Sequence, residues 1–112
     1  MSTQAFSPRG KTSLLAVTAT AHSVVRVTGT PVHCSTYQFV NAGSKACYVA
    51  WGSAADDASV TPAIPTDSTP GYGLPILSGE IVTYNLVPDA YFSAICASTE
   101  STSLLITAGE GL

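Results

Sequence analysis

The side chains able to form a thiol–imidazole pair or a soft transition-metal site are few: His22, His33, Cys34, Cys47 and Cys96. A catalytic thiol needs a base within hydrogen-bond reach, and a zinc site needs closely spaced ligands. Neither spacing occurs. His33 and Cys34 are adjacent, so in extended chain their side chains point to opposite sides. No CxxC pair is present, and an odd cysteine count argues against a disulfide framework, although a Cys34–Cys47 bridge is geometrically possible. The cysteines read as small apolar core residues. Asp56, Asp57 and Asp67 offer oxygen ligands but lack the DxDxDG spacing of a calcium loop. Glu80, Glu100 and Glu110 are spread over turns and the tail, so they form no acid pair for glycoside cleavage. No phosphate-cradling glycine loop or nucleophile elbow is found. The sequence therefore assigns no catalytic residue, no metal ligand and no cofactor, and it does not read as an enzyme.

One group of residues suits binding. Trp51, Tyr48 and Tyr72 are aromatic and hydrogen-bonding, and together they would make a sugar-stacking platform. The competing reading places Trp51 in the core, because it shares a strand face with Cys47 and Val49. The core reading is the stronger for Trp51 by that parity.

Charge is scarce. Only 10% of the 112 residues are charged and 46% are hydrophobic, where an ordinary soluble domain is about 25% charged. Ser and Thr fill the gap. A small domain that shows so little charge to water is expected to have much of its surface covered by other protein. The net charge is -3, and Arg9, Lys11, Arg26 and Lys45 are scattered, so a nucleic-acid partner is not expected. No stretch is long and apolar enough for a membrane helix. Arg9 and Lys11 followed by Leu14-Leu15-Ala16-Val17 imitate a signal peptide, but the run is short and Thr18 interrupts it. Synthesis in the cytoplasm is expected.

The elements that position these residues are strands. β-branched residues dominate the regular stretches, and short runs end at Gly, Pro, Asn or Ser. Strands are predicted at 13–20, 23–28, 35–41, 46–51, 80–86, 91–97 and 103–107, with a short one at 74–77. That pattern gives an all-β, single-domain, jelly-roll-like β-sandwich of about 7–8 strands, residues 11–112. Residues 1–10 read as an arm outside the core. Gly43 is expected to adopt positive φ in a hairpin loop, and Val87-Pro88-Asp89-Ala90 to form a type I turn.

Strand parity predicts core faces: Tyr37 with Phe39; Cys47, Val49 and Trp51; Val82, Tyr84 and Leu86; Phe92, Ala94 and Cys96. The opposite faces hold Leu14, Val24, Tyr48, Ile81 and Leu105 among Thr, Ser and Asn, without the Lys and Glu of a solvated face. Residues 53–79 contain Pro62, Pro65, Pro70 and Pro75, with Val60, Ile64, Tyr72, Leu74, Ile76 and Leu77. A loop this long and apolar is expected to be a docking element.

The stretch Asn41-Ala42-Gly43-Ser44-Lys45-Ala46-Cys47-Tyr48-Val49-Ala50-Trp51-Gly52, then Leu74-Pro75-Ile76, Gly79-Glu80-Ile81-Val82-Thr83-Tyr84-Asn85-Leu86 and the close Leu105-Ile106-Thr107-Ala108-Gly109-Glu110-Gly111-Leu112, resembles small virion proteins of tailed bacteriophages. It looks most like the capsid decoration, or cement, proteins of short-tailed phages of the epsilon15 type. The resemblance implies a jelly-roll-like protein on the capsid exterior that clamps neighbouring copies of the major capsid protein, as a homodimer or homotrimer. Phe6, Tyr72, Leu74, Ile76 and Ile81 are the expected contact residues. A tail or head-fibre component, or an unrelated module of the same fold, binding glycan through Trp51, Tyr48 or Tyr72 is the alternative.

Overall fold

The computed structural model describes residues 6–29 and 34–111. His33 and the first half of the expected arm lie outside the described residues. Nine strands are present among them: β1 (Ser7–Pro8), β2 (Ser13–Val17), β3 (Val25–Arg26), β4 (Thr36–Asn41), β5 (Cys47–Gly52), β6 (Leu74–Ile76), β7 (Ile81–Asn85), β8 (Tyr91–Ile95) and β9 (Thr102–Glu110). A single 3-10 turn, Ala58–Val60, precedes β6.

Side-chain parity divides the strands into two sheets that share one core. β4 turns Tyr37 and Phe39 inward, β5 turns Cys47 and Val49, β8 turns Phe92 and Ala94, and β9 turns Leu104, Ile106 and Ala108. The ring of Phe92 lies edge-on to Tyr37 at 5.0 Å and to Phe39 at 5.6 Å. This contact ties one sheet to the other, and edge-to-face pairs add to the burial of the rings.

The pairing is nested: β2 with β9, β3 with β8, β4 with β7 and β5 with β6, all antiparallel. From β2 to β5 and again from β6 to β9 successive strands alternate between sheets, as if one long hairpin with its tip between β5 and β6 had been rolled up. The four-stranded sheet runs β3-β8-β5-β6. In the five-stranded sheet, β9 sits between β4 on one side and β1 and β2 in succession on the other. The fold is a β-sandwich, as the strand pattern predicts.

Several local expectations are corrected. The end of the expected arm is part of a sheet: Ser7 and Pro8 pair with Glu110 and Gly109, and the Arg9 N–H donates to the Ala108 carbonyl at 2.9 Å. Phe6 is 9% exposed. A Cβ built on Gly109 would lie 2.5 Å from the Phe6 ring, so the glycine leaves the space that the ring fills. Phe6 is therefore not an open contact residue. Positive φ falls on Gly79 and Gly111, not on Gly43. Asp89 has φ 49, which a type I turn does not allow; Asp tolerates this region, and the Tyr37 hydroxyl accepts from the next N–H, that of Ala90, at 2.8 Å.

The segment between β5 and β6 is not free to dock as a whole. Val60 and Pro62 are buried, and Val60 packs over Gly52 on the side of β5 that faces away from the core. Ala50 and Ser93, on that same outward face, are buried too. The proline-rich segment thus covers the outer face of the four-stranded sheet. Among the described residues outside the strands, Phe6 packs on the outer face of the five-stranded sheet.

Candidate functional site

Two surfaces stand out. The first follows from register. Leu14 of β2 is opposite Leu105 of β9, Leu105 is opposite Val40 of β4, and Val40 is opposite Ile81 of β7. These four side chains form an apolar row across the whole outer face of the five-stranded sheet. Its ends are open, with Leu14 62% and Ile81 63% exposed. The next row is hydroxyl and amide: Thr107, Gln38 and Thr83, with the Thr12 hydroxyl 2.7 Å from that of Thr107. β2, β4 and β7 contain no charged residue, and β9 contains only its last, Glu110.

The charges are held elsewhere. Arg9 lies 3.6 Å from Glu110, Arg26 lies 3.9 Å from Asp89, and Lys45 lies 3.9 Å from Glu100. The Arg26 guanidinium also sits 5.3 Å from the Tyr91 ring centre. The Glu80 carboxylate accepts the Leu77 N–H at 2.9 Å, closing the turn between β6 and β7. Leu77 on that turn and Ile81 just after it are both exposed.

The second surface is a groove of about 480 Å³ at the end of β5. Trp51 and Ser53 supply one part, Asp57 and Ser59 of the 3-10 turn another, and Tyr72 and Leu74 at the entry to β6 a third. Trp51, Leu74 and Val87 reach the groove while packed against the core, so this wall is fixed by the fold. Asp57 caps the 3-10 turn: its Oδ1 accepts the Ser59 N–H at 3.0 Å. That bond, followed by the one from the Ser59 side chain, holds the carboxyl below its ordinary range. A second hollow of about 440 Å³ adjoins the first and shares Gly71 and Tyr72 with it.

The expected site residues separate accordingly. Tyr72 is 59% exposed in the groove, and Ile81 is open on the apolar row. Leu74 is half-buried behind the groove. Ile76 is fully buried against Cys47 and offers no contact surface, because parity turns it inward and its neighbour Leu77 outward. Trp51 and Tyr72 line the same groove, whereas Tyr48 lies on the opposite face of β5 and is not among its lining residues. Asp57 is the member that sequence reasoning missed. Its signal was the Asp-Ala-Ser spacing of a capping turn.

The thiols are held in the neutral form by burial. Cys47 is pushed up to about 12, and Cys34 and Cys96 are raised in the same direction. None of the three forms a disulfide. The His22 ring Nδ1 lies 2.7 Å from the Ser23 carbonyl, a local contact. Among the described residues, no helix is long and apolar enough to cross a membrane. Comparison with protein-family models, with curated proteins and with solved structures returns no match.

Proposed function

We propose that this chain is a structural protein of a phage virion that decorates the capsid exterior, binding across boundaries between major capsid protein subunits. The observation that carries the reading is the bare, charge-free outer face of the five-stranded sheet with its Leu14–Leu105–Val40–Ile81 row. Such a face loses little on desolvation, and hydroxyls beside it bond backbone groups without the cost of burying charge. The nested strand order supports a jelly roll, the architecture that the sequence resemblance implies. A repeated shell offers each copy many identical sites, so a modest contact per copy suffices when copies associate as homodimers or homotrimers. The function is adhesion rather than catalysis.

Cosedimentation tests it. The full chain should pellet with assembled shells of the phage that encodes it, and light scattering on the free protein should give a dimer or trimer. Leu14→Lys with Ile81→Lys should remove pelleting while the variant stays folded, because both side chains are exposed. A wild-type chain that remains in the supernatant at saturating shell concentration sinks the proposal.

A further inference from the structure

We propose that the groove at Trp51, with the hollow beyond Tyr72, binds a neutral oligosaccharide. This function is separate from docking through the five-stranded sheet. A pyranose ring has a C–H face and a rim of hydroxyls, so its site needs an aromatic surface beside fixed acceptors and donors. Trp51 and Tyr72 supply the aromatic surface, and both line the same groove. Ser53, Ser59 and Asp57 supply polar groups at its margin. Asp57 is already oriented by its capping bond, which uses Oδ1 at 3.0 Å from the Ser59 N–H. A carboxylate has about four lone-pair directions, so acceptor capacity remains for sugar hydroxyls.

Charge narrows the ligand. Among the described residues no Lys, Arg or His lines the groove, and the Asp57 carboxylate repels a phosphate, sulfate or uronate. Size fits as well, since ligand sites span about 300–1,000 Å³. The two hollows meet at Tyr72, whose exposed ring stands between them. That arrangement suits consecutive rings of a chain better than one isolated monosaccharide. The groove wall is preorganised, because Trp51 and Leu74 are braced by the core.

Trp51 is the only tryptophan in the chain, so emission excited selectively at tryptophan, clear of the five tyrosines, reports on this groove. The full-length protein would be titrated with maltotriose, cellotriose, chitotriose and β-1,4-galactotriose, and in parallel with glucuronate and choline. The expected result is a saturable change in Trp51 emission with at least one neutral trisaccharide and none with glucuronate. Tyr72→Ala, which truncates an exposed side chain, should weaken binding about tenfold. Asp57→Asn keeps a capping side chain and should also weaken it. Emission unmoved by every trisaccharide, moved only by choline, or moved equally in Tyr72→Ala would overturn the proposal.

Discussion

Asn41 is the side chain on which most of the local geometry converges. It is fully buried at the end of β4, and its Nδ2 donates to the Lys45 carbonyl at 2.8 Å and to the Ile76 carbonyl at 2.9 Å. Its Oδ1 accepts from the Thr102 hydroxyl at 2.6 Å and the Gly43 N–H at 3.2 Å. One amide thus joins the β4–β5 connection between the sheets, β6 and β9. Asn41→Ala strands buried partners on all three, each at a cost of about 1–3 kcal/mol when left unpaired. Solvent reaching the new space offsets part of that, so a net loss of about 3 kcal/mol is expected, read as a shift in urea midpoint. Cys47 sets a second expectation. Its folded pKa, about 12, lies above its ordinary 9.0, so the stabilising contribution is complete below about pH 9 and is lost as pH rises toward 12. Tyr37, also raised by burial, acts in the same direction. Urea midpoints should therefore fall between about pH 8 and 10.5, and Cys47→Ala should fall less steeply.

At the scale of elements, the short β1 illustrates what pairing contributes and composition does not. Ser7 and Pro8 have no apolar alternation, and they are a strand only because the edge of β9 is available at Gly109 and Glu110. Phe6 fastens this strand by filling the space over Gly109. Phe6→Ala should cost about 2 kcal/mol, at the low end for an aromatic because the site is peripheral. It should also speed deuterium exchange at the Arg9 N–H, while exchange in β5 and β8 changes only as far as global stability does. The core faces were legible for a simple reason: a period of two assigns every residue once one is assigned, and Tyr37, Phe39, Cys47, Val49, Phe92 and Ala94 all fall inward. The short strand at 74–77 was legible as β6, but not which of its side chains face inward, because an apolar run has no polar member to mark its outer side. Nor was the placing of Asp57 in the groove that Trp51 and Tyr72 line. It depends on the path of the proline-rich segment, whose composition marks a loop but not the sheet on which it settles.

For the whole molecule, the two sheets are finished differently. The four-stranded sheet is covered by its own chain through Val60 and Pro62, whereas on the five-stranded sheet, among the described residues, Leu14 and Ile81 are exposed and Leu105 and Val40 half-buried. The ion pairs lie off this row: Lys45 and Glu100 flank strand ends, and Arg26 and Asp89 belong to the other sheet's edge and a turn. Low overall charge is thus concentrated into one uncharged plane. A contact made through that plane has a distinctive ionic response. Coulombic docking weakens steeply with salt, because screening shortens from about 14 Å at 0.05 M to about 4 Å at 0.5 M. Apolar burial does not, and sulfate strengthens it. Shell binding by this chain should accordingly change less than about twofold over that sodium chloride range and tighten in ammonium sulfate, as read by cosedimentation. Binding that drops tenfold or more across the same range would place the contact on the peripheral charges, Arg9, Arg26 and Lys45, and remove the apolar row from the interface. Ile81→Ala separates these outcomes further. It deletes apolar area without adding charge, so it should weaken binding at every salt concentration by a similar factor.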